Sequence, residues 1–477
     1  MALNNEELFN FLSKRYDEDI IPQLEEYVKI PNQSPYFDPE WETNGHLDKA
    51  VELIANWIRK QNVPGLTLEI VKTEGRTPLI YVEVKGTNDT QETVLLYGHL
   101  DKQPPLTEAW EEGLGPYTPV IRDGKLYGRG ASDDGYAAFA AVSCLAALKA
   151  QNVPHARSVI LIEACEESGS PDLPYYVDLL SEKIGIPSLI VCLDSGSGNY
   201  DQFWLTTSLR GMVGGDLTVK ILNDGIHSGA ATGIVPSSFR IARMLLSRVE
   251  DEKTGVILPK SLYVDIPAKR IQQAKSCAEA LGALIYNEMP FVSGAGPVTQ
   301  DLTELLLNKS WRPSLAVTGA EGFPTLQSAG NVLRPYSSLK LSFRIPPNVS
   351  AKQAHADLKK IFEENPPYGA HVSFSGDKTG DGWEAPALAD WLEEVLDSSS
   401  NSFFKKPANY LGEGGSIPFM GMLGKKYPQA QFVVTGVLGP NSNAHGPNEF
   451  LHIDFTKRVT ACVASILAKH HAVHVKN

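Results

Sequence analysis

The chain has 477 residues, 42% of them apolar and 21% charged, which is too long for one ordinary core and predicts two to three globular domains rather than a disordered or fibrous protein. Its 43 basic and 56 acidic residues leave a net charge of -13, so nucleic acid and anionic membrane are excluded as expected partners. No stretch reaches the roughly 18 apolar residues that cross a bilayer, and Met1-Ala2-Leu3-Asn4-Asn5-Glu6-Glu7 is not a basic and apolar leader; a cytoplasmic location is the expectation.

In chain order, the first thirty residues read as helix, and Leu47, Val51, Ile54, Ala55 and Ile58 mark one face of a second helix. Strands are expected at 66–71, 79–84 and 93–97, the last running into Gly98-His99-Leu100-Asp101. A Gly- and Pro-rich loop leads to Gly128-Arg129-Gly130-Ala131-Ser132-Asp133-Asp134-Gly135, followed by an Ala-rich helix over 136–150. Strand 159–164 ends in Cys165-Glu166-Glu167-Ser168-Gly169, and the apolar run 187–193 ends in Asp194-Ser195-Gly196. Strands that are apolar throughout and alternate with helices indicate a mainly parallel sheet covered on both faces. His99, Glu166, Glu167 and Asp194 then all follow carboxyl ends of strands, the edge where open α/β sheets form ligand crevices.

Beyond residue 205 the strands alternate instead: Leu217, Val219 and Ile221, then Leu339, Leu341, Phe343 and Ile345. Helices are expected at 236–249 and at 351–363, where Ser350 and Gln353 could form a capping box. This predicts a smaller α+β domain, ferredoxin-like, at 206–380, inserted between segments 1–205 and 381–477 of the larger α/β domain. Helix 387–397, a Gly-rich stretch at 412–424, strand 431–435 and helix 454–469 complete the larger domain. The five cysteines, 144, 165, 192, 277 and 462, lack ligand-like spacing and are expected in the core. His470, His471 and His474 are expected as solvated helix-end residues.

Adjacent Glu166 and Glu167 repel and need a cation, a basic partner or a shared proton. The His99-Leu100-Asp101 spacing lets a carboxylate orient an imidazole. The two acids of Asp133-Asp134 suit a cation better than a phosphate. With Asp194 and His445 these residues supply a hard N/O donor set for zinc, manganese or cobalt.

Seven stretches in order resemble the M20 family of dinuclear metallopeptidases, nearest its carnosine and cytosolic non-specific dipeptidase branch. They are Tyr97-Gly98-His99-Leu100-Asp101, Gly128-Arg129-Gly130 with Ser132-Asp133-Asp134-Gly135, Glu166-Glu167-Ser168-Gly169, Asp194-Ser195-Gly196, His227-Ser228-Gly229, Gly414-Gly415-Ser416-Ile417-Pro418 and Ala444-His445-Gly446. The resemblance implies two divalent metal ions, zinc or manganese, with Asp133 bridging, His99 and Asp194 completing one site, and Glu167 and His445 the other. It makes Glu166 the general base, Asp101 the residue orienting His99, and His227 a lid histidine that polarises the scissile carbonyl, often from a second subunit of a homodimer. It also assigns substrate binding to Arg344, Gly415 and Ser416.

The implied activity is metal-assisted hydrolysis of small peptides, with N-acyl amino acid deacylation or carboxypeptidase action as the alternative on the same site, and a non-catalytic binding protein as the second alternative. Two departures bear on it. Gly135 stands where the family commonly has Lys, and the linker Gly380-Asp381-Gly382-Trp383-Glu384 lacks the histidine of the nearest dipeptidases.

Overall fold

The computed structural model describes residues 3–87, 91–376, 379–415 and 417–475. Its central sheet has six strands in the spatial order Leu66–Val71, Leu79–Val84, Arg157–Glu163, Thr93–His99, Leu189–Cys192, Gln431–Val434. The last four run parallel; Leu79–Val84 joins them antiparallel, and Leu66–Val71 is antiparallel to it in turn. Thr93–His99 is buried along its whole length, because helices cover both faces and leave no solvent side for a polar residue. On one face the Ala-rich helix Ala137–Ala150 packs between the sheet and the C-terminal helix Ile453–His474. The helices Leu173–Leu179 and Pro418–Lys426 contribute to the other face.

A second unit has its own core. Its sheet runs in the order Ser314–Glu321, Tyr336–Ile345, Gly211–Lys220, His371–Ser375, all neighbours antiparallel. Burial alternates strictly along Gly211–Lys220, and helices Ser238–Leu246 and Ala351–Glu363 sit on the buried face. With those two helices as the crossovers, this is the split βαβ order of a ferredoxin-like lid.

Four local differences from the sequence reading have physical causes. The first lid helix starts only at Ser238, because Pro236 precedes it and the Ser237 hydroxyl accepts the Arg240 N–H. The helix expected at 387–397 spans Asp390–Phe404. Its serine-rich second half stays helical because Leu396, Phe403 and Phe404 are buried in the core, and the Ser398, Ser399 and Ser402 hydroxyls are satisfied by bonding back to the preceding turn. The C-terminal helix runs on to His474, so His470 and His471 are not solvated: they are 0% and 4% exposed. Only half of the expected capping box forms, as Ser350 accepts the Gln353 N–H but the Gln353 side chain turns to Asp357. All five cysteines are buried and free. Among the described residues no helix is long and apolar enough to cross a membrane.

Candidate active site

The carboxyl edge of the central sheet gathers the acidic residues, since the strands end there and their loops turn outward together. His99 is the last residue of its strand, and its imidazole is fully buried. Its Nδ1 donates to the Asp101 main-chain carbonyl at 3.1 Å and lies 3.3 Å from the Asp101 carboxylate. That contact fixes the tautomer and leaves Nε2 facing Asp133 at 3.3 Å, Asp194 at 3.7 Å and Glu166 at 3.9 Å. On the other side of Asp133, His445 Nε2 stands 3.1 Å from Asp133 Oδ2 and 3.2 Å from Glu167 Oε2. Asp133 thus faces one imidazole with each oxygen.

The repulsion between Glu166 and Glu167 is managed by the backbone. Asp101 accepts the Glu166 N–H with one oxygen at 3.1 Å and the Glu167 N–H with the other at 3.0 Å. Gln103 donates to Glu167 at 2.6 Å. Even so, burial and then the Asp194 charge push Glu166 well above the usual carboxylate range. Burial, with Asp133 beside it, lifts Glu167 to about 7. Burial lifts Asp194 to about 6. Asp133 goes the other way in spite of its burial, because His445 and His99 hold it below its ordinary value. Such a concentration of buried acid is costly without cations.

The donors fit a divalent metal pair. His99 Nε2 and Glu167 Oε1 are buried without any hydrogen bond, and ligand atoms of His99, Asp133 and Glu167 lie within 4.8 Å of one another, as do those of His99, Asp134 and Asp194. Imidazole and carboxylate are the donor types of zinc and manganese sites. Asp134, whose carboxylate accepts the His99 main-chain N–H at 3.2 Å, is brought to the cluster without having been assigned a role from sequence.

Sequence reasoning also missed the residue that shapes the Asp133 loop. Glu449 is fully buried and accepts from Gly130 N, Ser132 N, Ser132 Oγ and Asp133 N, and pairs with buried Arg129 at 2.8 Å. Arg129 lies inside a quoted motif, but Glu449 is 320 residues away, and nothing in its local sequence announces the partnership. Gly135 is explained by packing: a Cβ there would meet the Tyr27 ring at 2.3 Å and the Gly130 carbonyl at 2.5 Å. The linker acids are structural, with Asp381 accepting the Ala351 N–H and Glu384 paired to Arg270 at 3.2 Å.

Two predicted residues stand apart from the cluster. His227 lies exposed on the lid, its Nδ1 accepting the Gly229 N–H, and makes no ion pair with the ligands. Arg344 sits half-buried in Tyr336–Ile345, opposite Met212 and Ser314, without a carboxylate partner among the described residues. Beside it is buried Arg210, whose Nε and Nη1 bond the carbonyls of Gly414, Asn308 and Arg312 and the Ser314 hydroxyl. Burial and the neighbouring Arg344 charge lower Arg210 to about 10. Neither guanidinium is paired with an acid among the described residues. Gly415 is exposed with open space around it; Ser416 lies outside the described residues. Against the ligand loops runs a cleft of ≈ 530 Å³, lined by Gly196, Leu284, Met289, Lys309, Glu413 and Ala444.

Fold and site together define a metal-dependent peptidase with a catalytic domain and a lid. Residues 95–469 match the model of peptidase family M20/M25/M40, and the chain belongs to that family. It is similar to the cysteinylglycine-S-conjugate dipeptidase of Corynebacterium striatum, 26% identical over 447 residues that cover 92% of each chain. It is also similar to the Beta-Ala-His dipeptidase of Homo sapiens, 26% identical over 386 residues covering 75% of this chain and 72% of that one. Among solved structures, the dipeptidase Dug1p of Saccharomyces cerevisiae shares the fold with a TM-score of 0.74 at 20% identity, over 99% of each chain.

Glu449→Gln should lower zinc affinity about 10- to 100-fold while circular dichroism shows a folded protein; unchanged affinity would contradict its role in setting the Asp133 loop. A pH effect follows from Glu163, which burial raises from 4.5 to about 7 in the metal-free protein. Between those values the folded state holds the extra proton, so stability falls as pH rises. Glu163→Gln should remove about 3 kcal/mol of that fall, read from denaturation midpoints at pH 4.5 and pH 7.5.

Proposed function

We propose that the chain is a dimetal dipeptidase. The observation that carries this reading is the position of Glu166 beside the His99, Asp133, Asp194, Glu167 and His445 cluster, its carboxylate paired, among the described residues, with no cationic side chain but His99. His99, Asp133 and Asp194 would hold one metal, and Asp133, Glu167 and His445 the other; zinc or manganese suits the donors. Bound there, the cation pair would polarise the scissile carbonyl and acidify the attacking water.

The chain's own residues supply the rest. Glu166 takes the proton of the attacking water and passes it to the leaving amine. Asp101 holds both the His99 tautomer and the Glu166–Glu167 backbone. Arg344, backed by Arg210, binds the free carboxylate of the substrate, with Gly415 beside the Gly414 carbonyl that accepts from Arg210; the resemblance to the family assigns Ser416 to substrate binding as well. The relatives named as dipeptidases support a small unblocked peptide as the substrate. An acylated amino acid would use the same carboxylate site, so a panel of dipeptides beside N-acetyl amino acids decides between them.

Within this reading residues 206–380 form the lid between catalytic segments 1–205 and 381–477, and the lid carries the homodimer contact. Exposed Phe239, Met244, Phe323 and Leu326 on the lid support such a contact, and the separation of His227 from its own cluster supports delivery to the partner's site. A cytoplasmic location agrees with five unpaired cysteines.

Glu166→Gln should retain both metals and lose about 10²- to 10⁴-fold in kcat, whereas Glu167→Gln should lose affinity for one metal; the reverse pattern would exchange their roles. Mixing inactive His227→Ala with inactive Glu166→Gln protein should restore part of the activity, since one site in a mixed dimer is intact. No recovery, with a monomer in sedimentation, would remove the dimer from the reading.

A further inference from the structure

We propose that Glu92, His470 and His474 form a second, non-catalytic divalent-cation site at the amino-terminal edge of the central sheet. One ring nitrogen from each histidine and an oxygen of Glu92 lie within 4.8 Å of one another. The two histidines are one helical turn apart on Ile453–His474, the i, i+4 spacing that places two imidazoles on the same face. Glu92 immediately precedes the strand Thr93–His99. The catalytic cluster sits at the opposite end of that seven-residue strand, about 20 Å away at ~3.3 Å per residue, so the two sets of ligands are independent.

The hydrogen bonds around the rings leave each with one free lone pair. His474 Nδ1 lies 2.7 Å from the His470 carbonyl, which can only accept, so Nδ1 carries the proton and Nε2 is free. The Ser188 hydroxyl lies 2.9 Å from His470 Nε2 and 3.5 Å from the Thr93 carbonyl, and with the hydroxyl proton directed at that carbonyl, Nε2 carries the ring proton. This leaves His470 Nδ1 as an acceptor, and that atom is buried with no hydrogen-bond partner in a side chain that is 0% exposed. A metal-bound histidine has this pattern: one nitrogen bonded to a protein oxygen and the other presented to the ion. Burial and the nearby His474 and His471 lower His470 to about 3, which keeps its ring neutral and able to coordinate.

Trp391 closes one side, its ring 5.7 Å from His470 and 5.8 Å from His474. Two imidazoles, one carboxylate and a water make a four-coordinate N/N/O/O set, suited to zinc, cobalt or nickel. Such an ion would clamp the end of the C-terminal helix to the strand that carries His99 at its far end.

The test counts zinc bound per chain in the full-length protein after equilibrium dialysis, for the unmodified protein, His474→Ala and Glu92→Gln. Both replacements are at partly exposed positions, and both should bind one equivalent fewer than the unmodified protein while hydrolytic activity stays unchanged. The zinc-dependent rise in Tm should shrink in the same two variants. Glu167→Gln should still show the equivalent that His474→Ala removes, which separates this site from the catalytic one. Equal zinc content in the unmodified protein and His474→Ala would overturn the proposal, whatever the catalytic centre binds.

Discussion

The Asp101 carboxylate is the contact on which the rest of the site depends. It takes the main-chain N–H groups of two successive glutamates, one on each oxygen, while its own carbonyl orients His99. Without those two donors the chain after the strand Arg157–Glu163 would have no reason to turn where it does, and two adjacent acids would separate into solvent. With them, Glu166 and Glu167 are held beside each other but aimed at different partners: Glu166 towards His99, and Glu167 towards His445. Backbone amides are well suited to this, since they satisfy a buried carboxylate without consuming a cationic side chain.

A second anchor repeats the device across the site. Glu449 collects amides from the Asp133 loop as Asp101 does from the Glu166 loop, and Arg129 balances its charge. Glu166, Glu167 and Asp133 are therefore supported from behind, by Asp101 and by Glu449. That support explains how buried carboxylates remain packed at the sheet edge, and it leaves their free oxygens to a cation. The lid contributes a different kind of charge: among the described residues neither Arg210 nor Arg344 is paired with an acid, and Arg210 is held by main-chain carbonyls and the Ser314 hydroxyl instead.

Much of this was legible from residue types and spacing. The apolar runs, ended by Gly98-His99, Cys165-Glu166-Glu167 and Leu193-Asp194, show strands with chemistry at their carboxyl ends, because a strand covered on both faces admits almost no polar side chain until it leaves the sheet. The strict alternation of Leu339, Leu341, Phe343 and Ile345 marks a sheet with one wet face for the same reason. The helix Asp390–Phe404 was harder, since its serine run has turn-like propensity and becomes helical through burial of Phe403 and Phe404.

The sequence alone determined the strand ends, the ligand types and the two textures of sheet, all consequences of local pattern. Tertiary structure decided which distant groups meet: Glu449 with Asp133, Arg210 with Arg344, and His470 with Ser188. It also decided that Gly135 must lack a side chain, because Tyr27 occupies that space, and that His470 lies buried where a chain terminus suggested water. Pairings of this kind carry no periodicity and no local motif. They arise only when the sheet order brings separate loops to one edge, and hydrogen-bond demand inside a dry interior then selects the partner.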